Sequence, residues 1–326
     1  MLQISVPRVM PVLAAMLFMP EAEAHVKWFV PLNESSVSGF ALTDPAVMIW
    51  IGLALLLITS SVILDSRLPS LPIVDSKARR IVIAILRVLT GVSLLLTAYN
   101  GSVIAPHYQA AGLFAQTLIA LEAGIGFLFI INKFVFQGSL LLALLYFGTM
   151  LRFGIVEALE YLNMLGIAAF LLFNNFKNKD YQEKFKPYSV SALRIFTGIA
   201  LVTLGLSEKL LSPEYGVAFI ELYNWNFIQN IGFENFSNRL FVLSAGVMEV
   251  VFGIILVLGT TTRINILVVS GFMLTSNITF FIEGNFTQAM LEIIGHLPLI
   301  AIAVICVFFG YGQRLKFTTL FKSRKY

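Results

Sequence analysis

Long apolar runs dominate the chain and are separated by short polar segments. A helix needs about 20 residues, at 1.5 Å per residue, to cross the hydrocarbon core of a bilayer. The runs do not alternate between apolar and polar residues as strands do, which excludes an outer-membrane barrel. The pattern predicts nine spanning helices, at 46–64, 81–101, 111–131, 135–153, 158–175, 190–208, 239–259, 264–282 and 288–310.

The first 24 residues have the layout of a secretory signal peptide. Arg8 precedes an apolar stretch at 9–19, Pro20 follows it, and residues 22–24 read Ala-Glu-Ala, which is an A-x-A cleavage site. An uncleaved first helix is the alternative, but about 11 apolar residues are too few to span a bilayer. We therefore expect cleavage, which places a mature N-terminus at His25 outside the cytoplasm.

The basic residues of the loops support this orientation. With the mature N-terminus outside, the segments 65–80, 132–134, 174–189, 260–263 and 311–326 are cytoplasmic, and they hold fifteen Lys and Arg residues. The opposite side holds four, which are Lys27, Arg152, Lys209 and Arg239. Cytoplasmic loops of membrane proteins carry such an excess of positive charge. We expect a bacterial cytoplasmic (inner) membrane protein with a cytoplasmic C-terminus.

Composition limits the chemistry that this chain can carry out alone. With 58% hydrophobic residues, 12% charged residues and a mean hydropathy of +0.87, it cannot be a soluble globular domain. Its single cysteine, Cys306, excludes intrachain disulfides and thiol-relay redox chemistry. Of three histidines only His296 lies in a span, so the chain lacks two facing ligands for a membrane haem. The lipid bilayer is the expected surrounding, and no nucleic-acid partner is expected.

A mature N-terminal histidine is a possible copper ligand. Its amine and imidazole nitrogens together suit Cu(II), and His107 is the extracytoplasmic histidine that would add a second imidazole. The alternative is that His25, with Trp28 and Phe29, only anchors the chain at the membrane interface.

The chain contains an internal repeat of four helices. Residues 86–91 read LRVLTG and residues 193–198 read LRIFTG, an offset of 107. In the following span, Glu122-x-x-x-Gly126 matches Glu249-x-x-x-Gly253 at an offset of 127. Because each copy has an even number of helices, both copies share one orientation and are related by an axis along the membrane normal.

The second copy resembles the DoxX family of four-helix membrane proteins. The resemblance rests on Leu193-Arg194-x-x-x-Gly198, Gly205-x-x-x-Lys209-Leu210, Glu249-x-x-x-Gly253 and Leu258-Gly259-x-x-x-Arg263. The first copy is degenerate, with Ser102 in place of Lys209. The predicted fold is an all-α membrane protein with a signal peptide (1–24), one extra helix and a loop (25–80), a first four-helix bundle (81–176), a linker (177–189), a second bundle (190–312) and a basic tail (313–326).

Ionisable residues within spans are costly, so they mark candidate sites. We predict a polar chamber near the extracytoplasmic side, with Glu292, His296 and Glu249 handling protons and Asn277, Arg194 and Lys209 binding a cofactor. Glu292 and His296 are four residues apart and share one helix face. The structural alternative is that Arg194 pairs with Glu249, and Arg87 with Glu122, so that each ion pair only fastens two helices.

The DoxX resemblance implies a quinone-linked role, as the membrane subunit of an oxidoreductase system that works with an extracytoplasmic partner protein. In that role the chain is a quinone-binding or non-catalytic subunit. A second hypothesis is an assembly or folding factor whose segment 208–238 contacts a client. A third is a transporter of a small solute or metal, although the spans lack Gly/Pro-broken helices at matching positions of the two copies.

Overall fold

The computed structural model of the protein describes residues 39–68, 76–109 and 111–320. The predicted signal peptide and His25 lie outside these residues. The helices are α1 (Pro45–Arg67), α2 (Ser76–Tyr99), α3 (Leu113–Ile130), α4 (Val135–Phe153), α5 (Ile155–Glu160), α6 (Leu162–Asn174), α7 (Lys179–Phe185), α8 (Ser189–Leu204), α9 (Pro213–Tyr223), α10 (Phe227–Asn230), α11 (Asn238–Leu258), α12 (Thr262–Ile282), α13 (Phe286–Phe309) and α14 (Phe317–Leu320). A 3₁₀ turn at Lys186–Tyr188 precedes α8, and a π-helical segment at Gly205–Leu210 continues it.

The all-α membrane fold is confirmed, with a correction at the fifth predicted span. Eight helices in the described residues are long and apolar enough to cross a membrane. The predicted span 158–175 is instead divided at Tyr161, whose φ of −110° and ψ of 23° separate the short α5 from α6. Neither piece alone reaches the length of a spanning helix. The only strands among the described residues are β1 (Ser102–Val103) and β2 (Ala105–Gln109), an antiparallel hairpin after α2.

Local signals in the sequence set several helix ends. The Asp44 carboxylate accepts the Ala46 N–H at 2.9 Å at the start of α1, and Ser237 caps α11 by accepting the Leu240 N–H at 3.2 Å. Gly259 ends α11 with a φ of 72°, in the left-handed region that glycine adopts without strain.

Two four-helix units interlock. The first unit contains α2, α3, α4 and α6, and the second contains α8, α11, α12 and α13. The first helix of each unit packs against its own second helix, but the last helix of each unit packs against the first helix of the other. The pairs α6–α8 and α2–α13 therefore join the units, which share one hydrophobic core. Helix α1 lies outside this arrangement and packs on α11.

The same glycine contact brings together the first two helices of each unit. A Cβ atom at Gly91 would lie 2.8 Å from Gly126 O, and one at Gly198 would lie 2.5 Å from Gly253 O. Glycine permits this approach because it has no side chain between the two backbones. The predicted repeat pairs these same positions.

The two ends of the bundle differ. The end with the β-hairpin, α5 and α9 is called the hairpin end, and the end with residues 311–320 is called the tail end. At the tail end, Asp65 accepts hydrogen bonds from the Thr261 N–H and the Thr318 hydroxyl, both at 3.1 Å, and pairs with Lys316 at 2.7 Å. The predicted orientation makes the hairpin end extracytoplasmic.

Candidate functional site

Arg194 binds backbone carbonyls at the tail end and does not contact Glu249. Its guanidinium is fully buried and donates to Leu256 O and Val257 O, at 2.5 and 2.7 Å, where α11 ends. Carbonyls in the last turn of a helix carry the negative end of its dipole, and Leu256 O also accepts the Gly259 N–H at 3.2 Å. The same side chain also donates to the carbonyls of Tyr311, at 3.2 Å, and Leu315.

Arg87 makes the equivalent contact in the first unit. Its Nη1 donates to Ile130 O at 3.1 Å, where α3 ends. The predicted ion pairs Arg194–Glu249 and Arg87–Glu122 are therefore wrong. In each unit the arginine lies four residues toward the tail end from the glycine contact, and the glutamate lies four residues toward the hairpin end. Eight residues of helix, about 12 Å at 1.5 Å each, separate the two charges.

The two glutamates instead bind the segment that follows the arginine helix. Glu122 is fully buried, and its Oε2 accepts the backbone N–H of Ile104 at 2.8 Å. Ile104 has a φ of 62°, a strained conformation for a β-branched residue. The carboxylate thus holds the turn of the β-hairpin in place, and Glu122 has a structural role.

Glu249 forms an ion pair with Lys209, and this pair is the centre of the candidate site. Lys209 Nζ lies 2.9 Å from Glu249 Oε1 and 3.0 Å from Oε2, so it bridges both carboxylate oxygens. Lys209 belongs to the π-helical segment, whose wider turn changes which residues face α11. Single π-helical turns of this kind often occur at functional sites. The carboxylates of Glu208 and Glu292 also act electrostatically on Lys209.

His296 and Glu292 form the second part of the site. His296 Nδ1 lies 2.7 Å from Glu292 O and 3.5 Å from Glu292 Oε1. Because a carbonyl oxygen only accepts, Nδ1 carries the proton of this hydrogen bond. Asn277 donates to Met273 O of its own helix at 3.0 Å. Within the described residues, no hydrogen bond joins the Asn277 side chain to the other predicted site residues. The predicted chamber thus consists of two pairs, Lys209–Glu249 and Glu292–His296, which the electrostatic interaction of Glu292 with Lys209 connects, and it does not include Arg194.

The Glu249 side of the chamber is open. Helices α11 and α12 contact each other toward the tail end, where Asn265 donates to Phe252 O at 3.0 Å and the Phe252 ring packs against the Phe272 ring. The Glu249 side chain, nearer the hairpin end, is 31% exposed. An aromatic cluster connects the segment after Lys209 to α11 and α12 at this end, through Phe219, Tyr223, Trp225, Phe241 and Phe280.

Residues 189–282 match the DoxX family model. This part of the chain is a DoxX domain. No curated protein and no solved structure matches the chain. The DoxX domain covers α8 to α12, so it contains Arg194, Lys209, Glu249 and Asn277. Glu292 and His296 lie in α13, beyond the matched residues.

Three polar residues where the two units meet, two of them buried, were missed by the sequence analysis. Ser207 donates to Glu160 Oε1 of the first unit at 2.5 Å, and Glu208 is fully buried beside it. Glu160 is also buried. Two successive ionisable residues, Glu208 and Lys209, at the end of an apolar run were a signal for this cluster.

Of the two predicted copper ligands, His107 lies within the described residues and His25 lies outside them. His107 Nε2 lies 3.9 Å from Glu157 Oε2, and the histidine ring packs against Tyr108 and Tyr161. Among the described residues there is no group of three His, Cys, Asp or Glu side chains suited to a metal. Burial, and next the Glu157 carboxylate, raise the pKa of Tyr108, so its hydroxyl stays protonated and donates to Glu157 O at 2.8 Å.

Replacing Glu122 by leucine tests the structural role of this residue outside the DoxX domain. The Ile104 N–H then loses its acceptor in a buried position, and we expect the free energy of unfolding in detergent to fall by about 1–3 kcal/mol. Glu122→Gln is the control, because its amide oxygen still accepts this hydrogen bond. Equal losses in the two variants would contradict the role assigned to the carboxylate oxygen.

Proposed function

We propose that this DoxX-domain protein is the membrane subunit of a quinone-linked oxidoreductase system. The observation that carries the proposal is the Lys209–Glu249 ion pair, which lies on a partly open side of α11 at membrane depth. Ionisable residues within membrane spans are rare and mark functional sites. Lys209 supplies the hydrogen-bond donor that a quinone carbonyl oxygen needs, and the bilayer accommodates an isoprenoid tail.

The residues around the pair have the hydrogen-bonding groups that a quinone ring needs. A quinone, when bound, takes up two electrons and two protons on reduction to a quinol. Lys209 orients a carbonyl oxygen, and Glu249 keeps the ammonium in place from the other side. His296 holds or releases a proton at Nε2, and its Nδ1 contact with Glu292 fixes the ring. Since the sequence predicts no redox centre within this chain, the electrons come from an extracytoplasmic partner protein.

The first unit does not offer an equivalent site. Its glutamate, Glu122, is fully buried and holds the Ile104 N–H, and Ser102 occupies the position equivalent to Lys209. A quinone therefore has one binding site per chain, within the second unit. We place the hairpin end, which is nearer this site, on the extracytoplasmic side of a bacterial inner membrane, in agreement with the distribution of basic residues.

Quinone retained by the purified protein tests the proposal. We expect wild-type protein extracted in mild detergent to contain close to one quinone per chain by organic extraction and chromatography. Lys209→Met removes the donor, and His296→Ala removes the imidazole ring. We expect each to lower the retained quinone about tenfold, because one charge-assisted hydrogen bond contributes about 1.5–3 kcal/mol.

Lys316→Met is the matched control, since Lys316 forms a comparable ion pair with Asp65 at the opposite end of the bundle. Its quinone content should equal that of the wild type. If Lys209→Met and His296→Ala retain the same quinone as Lys316→Met, this site does not bind quinone. An assembly factor gives a different result, in which these variants behave as wild type and deletion of the chain lowers the amount of another membrane complex.

A further inference from the structure

A small cavity lies where the two units meet, toward the hairpin end of the bundle. Its volume is about 20 Å³, enough for a water molecule or an ion of similar size. It is too small for a quinone ring and is separate from the Lys209–Glu249 pair. Its polar lining comes from four helices, α2, α5, α6 and α8, and includes Ser93, Thr97, Glu160, Asn163 and Thr197.

The two threonines present acceptors to this cavity. Thr97 donates its hydroxyl proton to Ser93 O, and Thr197 donates to Leu193 O, both at 2.8 Å and within their own helices. A hydroxyl group has one proton, so each oxygen offers only lone pairs to an occupant of the cavity. One threonine comes from the first helix of each unit, which gives the cavity a similar wall on both sides.

Glu160 adds negative charge to the same lining. Its side chain is 2% exposed, and one of its oxygens accepts the Ser207 hydroxyl at 2.5 Å. A lining of one carboxylate and hydroxyl oxygens with lone pairs directed inward suits a cation and disfavours an anion.

A helix break and a proline within a helix both line the cavity. Tyr161 lies at the break between α5 and α6, and Ile104–Pro106 belong to the β-hairpin that follows α2. Pro298, near the middle of α13, has no N–H to donate to the carbonyl four residues before it. The last helix of the first unit is thus divided at Tyr161, whereas α13 continues through Pro298 as one helix. Discontinuous helices at the interface of two repeats coordinate Na⁺ in many transporters through backbone oxygens.

We propose that this cavity binds a monovalent cation of the size of Na⁺, with Glu160 supplying the charge and Thr97 and Thr197 supplying neutral oxygen ligands. The site lies between the two units, so an occupant joins them. The proposal does not rest on the quinone function, because its lining residues are different.

Thermal unfolding of the purified full-length protein in detergent tests the site. NaCl is compared with N-methyl-D-glucamine chloride at equal ionic strength. We expect NaCl to raise the Tm of the wild type by roughly 5 °C in a saturable manner, since a ligand that binds only the folded state stabilises it. Binding of ²²Na⁺ in a scintillation proximity assay gives a direct second measurement.

Thr197→Val removes one ligand oxygen with almost no change in shape, and Glu160→Gln removes the charge. Both should lose the Na⁺-dependent shift and the ²²Na⁺ signal. Thr203→Val is the matched control, because Thr203 makes the same bond within α8, to Ile199 O at 3.0 Å, but does not line the cavity. It should keep both.

Three results would overturn the proposal. The first is a wild type that shows neither a Na⁺-dependent shift nor ²²Na⁺ binding. The second is binding that persists unchanged in Thr197→Val and Glu160→Gln. The third is a Tm that responds to pH and not to Na⁺, with the response lost in Glu160→Gln, because the site then holds a proton instead of a metal cation.

Discussion

Replacing Arg194 by methionine is expected to lower the free energy of unfolding by about 3–5 kcal/mol, the largest loss we expect from one substitution at the tail end. The buried guanidinium holds four backbone carbonyls, at Leu256, Val257, Tyr311 and Leu315. Methionine fills much of the same volume but removes the guanidinium donor from all four oxygens. Reversible unfolding in mixed detergent and SDS micelles measures the loss.

Two further variants show whether the carbonyl contacts are the cause. Arg87→Met removes the equivalent side chain of the first unit, which holds one carbonyl, so we expect a loss of only about 1–2 kcal/mol. Arg194→Lys keeps the charge but lacks the planar fork of donors, and its loss should be intermediate. Similar losses for Arg194→Met and Arg87→Met would show that the number of carbonyl contacts does not determine the effect.

The same substitution should also release the C-terminal segment. Arg194 binds Tyr311 O and Leu315 O, and Ser191 donates to Arg314 O at 2.5 Å beside it. Limited proteolysis of folded Arg194→Met protein should therefore cleave within 311–320 faster than in the wild type. Unchanged cleavage would mean that Lys316 and Asp65 hold the segment without Arg194.

Apolar run length predicted most of the helices closely. The span predicted at 135–153 is α4, Val135–Phe153, and the span predicted at 239–259 is α11, Asn238–Leu258. The bilayer imposes this length on every spanning helix, so the sequence carries it directly. The break at Tyr161 was not predictable in the same way, because neither glycine nor proline marks it. It lies beside Glu160, which contacts Ser207 of the other unit, so the contact is tertiary.

The candidate site was predicted in part. Lys209 and Glu249 were both predicted as site residues, because ionisable residues in apolar spans are rare. The alternative prediction, that Glu249 pairs with Arg194, was wrong. The glycine contact Gly198–Gly253 sets the register of α8 and α11. Arg194 and Glu249 lie four residues from this contact on opposite sides, so about 12 Å separates their charges. The π-helical segment that brings Lys209 to Glu249 has no comparable sequence signal.

Gly198→Leu is expected to separate α8 from α11 and to destabilise the protein by more than about 3 kcal/mol, because overpacking commonly costs 1–3 kcal/mol even where side chains can adjust. A Cβ atom at Gly198 would lie 2.5 Å from Gly253 O and 2.9 Å from Val257 Cγ2. The first of these neighbours is backbone and cannot move without shifting α11. Because α11 carries Glu249, the shift should also weaken the Lys209–Glu249 pair and lower the retained quinone.

Gly271→Leu is the control for the added side chain itself. Gly271 lies in α12 with no atom within 4 Å of an added Cβ, so leucine there enters open space. We expect its free energy of unfolding to stay within about 0.5 kcal/mol of the wild type, as for most substitutions away from packed positions. Gly198→Ala should lie between the two, since one methyl group already meets Gly253 O. If Gly198→Leu is as stable as Gly271→Leu, the close approach of α8 and α11 does not hold the second unit together.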